Sequence, residues 1–254
     1  MITRLRGSAG TAVLLALAAG SLPAQSLADR VARAPDGRVH LTFAAREGVC
    51  GNGRNISVRD SRDGEWEHDC EEGPVRLSLT VAGGKVMRVR TYVAGRWRES
   101  GDRVTDLGTV SAPLAAQFLL DLAERGGAGA KEAVFPATIA DSFTAWPGLL
   151  RIARNERALR ETRKSAVFWL GQATGDRITQ SLDSVATDRG GDREVRDAAV
   201  FALSQRPKNE GVPALLRLAQ NDADPEIRRK AVFWLGQSDD PRALNFFEQV
   251  LTGR

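Results

Sequence analysis

The sequence has few of the residue types that active sites use most often. Its 254 residues include two cysteines, two histidines and one tyrosine. It contains no HExxH pair for zinc, no glycine-rich phosphate loop after a strand, and no Gly-x-Ser-x-Gly elbow around a nucleophilic serine. The adjacent acids Asp239–Asp240 and Glu71–Glu72 could serve acid–base catalysis, but such pairs more often cap helices or lie in solvated turns. We therefore predict a protein that is not an enzyme and has no cofactor or metal.

No large excess of one charge is present either. Lysine and arginine number 36 against 32 acids, for a net charge of +4, and the two signs are interleaved along the chain. Proteins that follow a phosphate backbone need clustered cations. Nucleic acid is therefore not a predicted partner.

Long hydrophobic runs are missing apart from one near the N-terminus. There, basic residues precede an apolar run from Thr11 to Ala19 and a region of small residues, which is the pattern of a secretory signal peptide. We predict a signal peptide over residues 1–28, cleaved after Ala24 or Ala28, and a periplasmic or secreted mature chain. An uncleaved anchor is the alternative, although the run is short against the roughly 20 residues that a membrane span needs.

The two cysteines, Cys50 and Cys70, lie 20 residues apart in a turn-rich stretch. In an exported chain this arrangement predicts one disulfide. The alternative is a metal site formed by both thiolates with His68 and Asp69, but the ligands lack a CxxC or HxxxH pair.

Residues 36–110 have the two-residue periodicity of strands and predict a small β unit. Two of the alternating runs, Val75–Val81 and Val86–Val93, are separated by a segment that contains Gly83–Gly84, which favours a tight hairpin turn. A short strand is predicted at Asn55–Val58, and His40 is interpreted as a surface residue on the polar side of the first strand. The alternating positions are Val39, Leu41 and Phe43; then Val75, Leu77, Leu79 and Val81; and then the run from Val86 to Val93.

Residues 111–141 are predicted to form a helix and a connector. Apolar residues recur at helical spacing as far as residue 124, with Ser111 as N-cap and Pro113 in the first turn. Glycines at 126, 127 and 129 end this helix.

A ten-residue segment recurs three times in the C-terminal half. RKSAVFWLGQ (163–172), RDAAVFALSQ (196–205) and RRKAVFWLGQ (228–237) agree at six positions and follow one another at spacings of 33 and 32 residues. Thr162, Ala166 and Leu170 share one helix face. Each copy is therefore predicted to be a buried helix.

A second helix precedes each copy, because WPGLLRIAR (146–154) and VPALLRLAQ (212–220) match at a separation of 66 residues. The middle pair is predicted to begin near Thr179, and a last helix, Pro241 to Leu251, has no partner. One helix pair cannot bury its own apolar faces, so the pairs must stack. Residues 142–254 are thus predicted to form an α-solenoid of about three and a half repeats, and the chain as a whole is α+β.

The stretch DPEIRRKAVFWLGQSDDPRA (224–243) resembles the HEAT repeat in its Asp-Pro-x-Ile-Arg start and its Ala-Val and Leu-Gly pairs. The resemblance covers the C-terminal part only. It implies a helical array that acts mostly as an interaction scaffold, with a few known enzymes of the bilin lyase and DNA glycosylase types.

The repeated aromatic and glutamine side chains are the candidates for partner binding. The phenylalanines lie opposite the buried stripe and the tryptophans flank it, so packing between repeats is one interpretation and an exposed binding ladder is the other. Arg163, Arg196 and Arg228 are interpreted as structural, paired with Asp192 and Asp224 of adjacent repeats. The candidate binding residues are Phe168, Trp169, Gln172, Phe201, Gln205, Phe233, Trp234 and Gln237.

Taken together, these features favour an exported bacterial scaffold that binds a protein or peptide in the cell envelope. One alternative is a sensory or regulatory module whose β unit binds a ligand and signals to a membrane protein. A HEAT-like lyase or glycosylase is a further alternative, which export of the chain would exclude.

Overall fold

The computed structural model of the chain describes residues 25–58, 70–97, 103–175 and 177–253. Most of the predicted signal segment, together with His68 and Asp69 of the alternative metal site, lies outside the described residues. Within them, the α+β prediction is confirmed: a small β unit precedes an array of helices. The strands are β1 (Gly37–Phe43), β2 (Val49–Gly51), β3 (Ile56–Val58), β4 (Glu71–Glu72), β5 (Val75–Ala82), β6 (Lys85–Val93) and β7 (Val104–Thr109). The helices are α1 (Leu27–Arg33), α2 (Ala112–Arg125), α3 (Ala130–Thr138), α4 (Trp146–Arg154), α5 (Arg160–Gly171), α6 (Ile178–Ala186), α7 (Arg193–Ser204), α8 (Lys208–Asn221), α9 (Pro225–Gly236) and α10 (Pro241–Thr252).

The larger sheet has the strand order β6-β5-β1-β7. The β5–β6 hairpin turns at Gly83 and Gly84, which have φ angles of +55° and +69° and supply the left-handed backbone that the turn requires. The predicted alternation is confirmed, because every second residue of β1 and β5 faces the core. Strand β7, which pairs in parallel with β1, was not predicted, since four of its six residues are exposed and its apolar residues, Val104 and Leu107, are three positions apart and do not alternate.

The smaller sheet, β3-β2-β4, contains the predicted disulfide. Cys50 in β2 is bonded to Cys70, with 5.2 Å between the two Cα atoms, and β4 begins directly after Cys70. Both sulfur atoms are used by this bond, so neither is a thiolate that could bind metal. The alternative metal site is therefore wrong.

His40 is not the surface residue that the sequence analysis expected. It is 8% exposed, and the Trp97 ring stacks on it with the ring centroids 3.8 Å apart. Burial lowers the pKa of His40, while the Asp106 carboxylate acts in the opposite direction. The alternation correctly placed His40 on the outer side of β1, but Trp97, which follows β6, covers that side of the strand.

Among the described residues, helices α2 to α9 form four layers, each with one outer and one inner member, and α10 adds a last outer helix without an inner partner. The inner row is α3, α5, α7 and α9, and the outer row is α2, α4, α6, α8 and α10; each helix packs on its neighbours in the same row and on its partner in the layer. The predicted stripe is buried, because Thr162, Ala166 and Leu170 are each 0% exposed. A solenoid of stacked helix pairs is the result.

The array includes a layer that the sequence analysis did not recognise as a repeat. Helices α2 and α3 pack together, and α3 carries Ala-Val-Phe at 133–135, which is 33 residues before the same triplet at 166–168. Ser111 is the N-cap of α2 as predicted, although its side chain makes no capping hydrogen bond. The Ala-Val-Phe triplet was visible in the sequence, but the match to the next copy ends after it, because Pro136 occupies the position of Trp169.

The β unit and the first helical layer share one hydrophobic core. The chain around Ala44 is also hydrogen-bonded to the end of α3: Arg46 N–H donates to the Ile139 carbonyl at 2.9 Å, and Asp141 N–H donates to the Ala44 carbonyl at 3.0 Å. The β unit therefore caps the N-terminal end of the solenoid, where an uncovered layer would otherwise expose its apolar face.

Candidate functional site

A row of phenylalanines crosses the inner helices, one in each layer. We name Phe135, Phe168, Phe201 and Phe233 the Phe column. Helices α5, α7 and α9 turn their Ala/Leu stripes to the core, and the opposite side of each helix therefore faces solvent. Phe168 is 44% exposed, Phe201 36% and Phe233 54%. Large apolar side chains aligned in this way on a solvent-facing surface form a candidate interaction site.

The repeated tryptophans are half-buried, each between two members of the Phe column. The Trp169 ring lies 4.7 Å from Phe135 and 5.1 Å from Phe168, measured between ring centroids. The Trp234 ring lies 5.1 Å from Phe201 and 5.0 Å from Phe233. We name these the first and second aromatic clusters. Both interpretations of the aromatics thus describe part of the surface: each tryptophan packs between layers, and the phenylalanines remain exposed beside it.

The middle repeat has Ala202 in place of tryptophan, and the packing explains why. Ala202 is 3% exposed and faces Gly171 at the end of the preceding inner helix. A Cβ atom added to Gly171 would lie 2.9 Å from the Cβ atom of Ala202, closer than such atoms approach. Helices α5 and α7 therefore contact each other too closely at this point to admit an indole ring.

The predicted glutamines lie at the C-terminal ends of the inner helices. Gln172, Gln205 and Gln237 are the C-cap residues of α5, α7 and α9, and all three are exposed. A groove of about 180 Å³ opens where Trp234, Gln205 and Gln237 meet. Apolar side chains that include Leu203, Val212 and Leu215 also line it. The groove combines these apolar side chains with the two amide groups and with the charged side chains of Arg206, Lys208 and Asp239.

A family comparison identifies these helices. Residues 182–253, from within α6 to the end of α10, match the family model for HEAT repeats. The helices from α6 to α10 are thus similar to HEAT repeats, and the helices before them continue the same layered packing. The resemblance inferred from residues 224–243 is thereby confirmed, and helical repeats of this kind generally mediate protein interactions. No curated protein and no solved structure matches the chain.

Two of the three repeated arginines, Arg163 and Arg196, connect adjacent layers, as the sequence analysis predicted. Arg163 is 3.4 Å from Asp192 of the next layer. Arg196 is 2.9 Å from Asp222 and 3.4 Å from Asp224, and it also donates to the Ala186 carbonyl at 2.8 Å. The side chains of Arg196 and Asp222 are 6% and 4% exposed. These cations are thus engaged within the array.

Arg228 lies in the last inner helix of the HEAT array. Its guanidinium donates to the carbonyls of Asp222 and Ala223, at 2.7 and 3.1 Å. It therefore connects the start of α9 to the turn before it, and the predicted pairing with an acid of an adjacent repeat is wrong for Arg228.

The adjacent acids of the sequence also have structural positions. Asp240 is the N-cap of α10 and accepts a hydrogen bond from the Arg242 backbone. The Arg242 guanidinium holds the pKa of Asp240 down at about 2. Asp239 forms an ion pair with Lys208, and Glu71 and Glu72 are exposed in β4. Asp240 is therefore an ionised helix cap at neutral pH, whereas a general acid must carry a proton that it can donate.

Among the described residues, no helix is long and apolar enough to cross a bilayer. No group of three or more His, Cys, Asp or Glu side chains within the same ranges could hold a metal ion.

Proposed function

We propose that this chain is an exported, non-enzymatic scaffold whose HEAT array binds another protein or peptide of the cell envelope through the Phe column. The observation that carries the proposal is the exposure of Phe168, Phe201 and Phe233 in three successive layers. Stacking of the helices does not need these rings at the surface, since Ala and Leu already fill the interior. A partner that covers the rings gains the free energy of removing them from water.

The proposed mode of action is binding without chemistry. Of the acid pairs that the sequence offered for catalysis, Asp240 caps a helix and Asp239 pairs with Lys208, while Glu71 and Glu72 are exposed in β4. The cysteines form a disulfide, and His40 lies beneath Trp97. The site instead offers aromatic faces and primary amides, which are common in peptide-binding surfaces.

Export is supported by the signal-like segment and by the disulfide, a bond that persists outside the reducing cytosol. Helix α1 favours one of the two predicted cleavage positions. Ser26 caps this helix by accepting a hydrogen bond from Asp29 N–H, and Leu27 is 2% exposed in the core. Cleavage after Ala28 would remove both residues, whereas cleavage after Ala24 leaves the helix whole.

Mass spectrometry of the exported chain is therefore expected to find Gln25 as its first residue. Replacing Ala24 with a bulky residue should block processing, while the same replacement of Ala28 serves as the matched control. A chain that begins at Asp29 would contradict the inference from α1. A chain kept whole in the cytosol would remove the export part of the proposal and would favour the lyase or glycosylase alternative.

Substituting Phe168, Phe201 and Phe233 with serine tests the binding part. Because the three rings are partly exposed but each also packs on a tryptophan, we expect the free energy of unfolding to fall by about 1 to 2 kcal/mol per site. We also expect the envelope complex that crosslinking recovers from intact cells to disappear. The control replaces Leu159, Leu244 and Leu251, which are equally apolar and more than half exposed but lie outside the Phe column. Complexes that survive in the serine variant and are lost in the control would contradict the proposal.

One observation favours the sensory alternative as a second candidate. A groove of about 360 Å³ is lined by residues 44–49 and 72–74, next to the segment that is hydrogen-bonded to the end of α3. A ligand bound in this groove could change the packing of α2 and α3, because the β unit and this first layer share one hydrophobic core. Hydrogen exchange that slows in residues 44–49 when candidate envelope metabolites are added would support it, and unchanged exchange would leave the scaffold as the better account.

A further inference from the structure

The two aromatic clusters have the same construction, and this determines what a partner must offer. Each consists of one half-buried tryptophan between two phenylalanines of adjacent inner helices, and the second cluster repeats the first two layers further on. Between the clusters, Ala202 packs on Gly171 and contributes no ring. The apolar surface is therefore divided in two.

The separation of the clusters can be estimated from helix packing. Neighbouring helices lie about 8–10 Å apart, so clusters two layers apart are separated by roughly 16–20 Å. An extended polypeptide advances about 3.3 Å per residue and covers that distance in about five or six residues. An α-helix, at 1.5 Å per residue, would need about 11 to 13.

The glutamines favour the extended form. Gln172, Gln205 and Gln237 place one exposed primary amide in each of the layers of α5, α7 and α9, one helical turn beyond the Phe column. Each amide can donate to a carbonyl and accept from an N–H group. An extended segment leaves those backbone groups unpaired, whereas a helical partner satisfies its own.

Charge contributes little to this recognition. Two of the three cations one turn before the Phe column are paired, Lys164 with Glu161 and Glu194, and Arg229 with Glu226. The cations that line the groove are also paired, Arg206 with Glu210 and Lys208 with Asp239. The hydrogen bond from Glu161 raises the pKa of Lys164, so its charge is held within the pair. A partner is thus selected by its apolar side chains.

We infer that the partner is an extended polypeptide segment with two bulky apolar residues five or six positions apart, one bound at each aromatic cluster. This inference rests on the proposed function, because it names the partner of the same surface. The groove beside Trp234 receives one of the two side chains, since its volume of about 180 Å³ accommodates a leucine or phenylalanine.

The test uses the exported chain and a phage-displayed library of random 16-residue peptides. Enriched peptides should carry two bulky apolar residues separated by five or six positions. Phe168→Ser in the first cluster and Phe233→Ser in the second should each weaken binding of such a peptide about tenfold, which corresponds to about 1.4 kcal/mol. Moving the two apolar residues closer by three positions should have a similar effect, and raising the salt concentration from 50 to 500 mM should change the Kd less than about threefold.

The outcomes separate the inference from the function on which it rests. Peptides that need a single apolar residue, or that respond to only one of the two serine substitutions, would overturn the two-cluster inference and leave a binding surface in place. Enriched peptides that bind equally well to the chain with serine at all three exposed phenylalanines would show that the Phe column is not the site, and both proposals would fail. Enriched helical peptides with apolar residues 11 to 13 apart would overturn the extended form.

Discussion

Replacement of Arg196 by alanine is expected to lower the free energy of unfolding by about 3 to 5 kcal/mol, the usual cost of breaking a buried ion pair from one side. Arg196 lies between two HEAT layers and contacts Asp222 at 2.9 and 3.0 Å, Asp224 at 3.4 Å and the Ala186 carbonyl at 2.8 Å. Without it, the Asp222 carboxylate, 4% exposed, is left buried without its cation. Urea denaturation followed by far-ultraviolet circular dichroism measures the loss.

Arg160 supplies the control for Arg196. It also pairs with acids of the next layer, Asp192 at 2.8 Å and Glu194 at 3.0 Å, but its side chain is 52% exposed. Exposed ion pairs contribute about 0 to 1 kcal/mol, so Arg160→Ala should cost no more than that. If both variants lost the same free energy of unfolding, the contribution of an ion pair to stability would not depend on its burial, which would contradict this prediction.

Restoring the repeat consensus at position 202 is expected to damage the fold. Ala202→Trp makes the middle copy resemble the other two, but Ala202 is 3% exposed and packs on Gly171. An indole ring at this contact must push α5 and α7 apart. Overpacking costs of this kind reach about 3 kcal/mol, and a loss near that value is expected in the same denaturation experiment.

Phe201→Trp is the matched control, because it introduces the same ring one residue away on the exposed side of the helix. Phe201 is 36% exposed, and a larger ring there can extend into solvent. The expected change is within about 0.5 kcal/mol. A stable Ala202→Trp variant would show that the layers can separate, and the explanation of the missing tryptophan would be wrong.

The sequence predicted those parts of the fold that depend on local periodicity. Alternation predicted β1, β5 and β6, and the three copies of the ten-residue segment predicted α5, α7 and α9. Five elements were not predicted, for physical reasons. Strands β2 and β4 are only three and two residues long and lie in the turn-rich stretch around the cysteines. Helix α1 lies partly within the signal-like segment, α3 has a proline where later copies have tryptophan, and β7 is an exposed strand without an apolar pattern.

The candidate site was predictable as a set of residues but not as an arrangement. Helical spacing places Phe168 opposite the buried stripe, which agrees with its exposure of 44%. The half-buried position of Trp169 depends on Phe135, a residue of the layer before the predicted start of the array. The contact between Gly171 and Ala202 depends on how closely α5 and α7 approach each other, and this distance cannot be predicted from the repeat pattern.

The most direct test of the account is photo-crosslinking from single positions of the HEAT array in intact cells. A photoreactive amino acid is placed at position 201 in the Phe column, or at position 217 on the outer helix α8, where the Arg217 side chain is 58% exposed. The account predicts that light links position 201 to one envelope polypeptide and leaves position 217 without a product. Crosslinks from position 217 alone, or no product from position 201 in cells that export the chain, would contradict it.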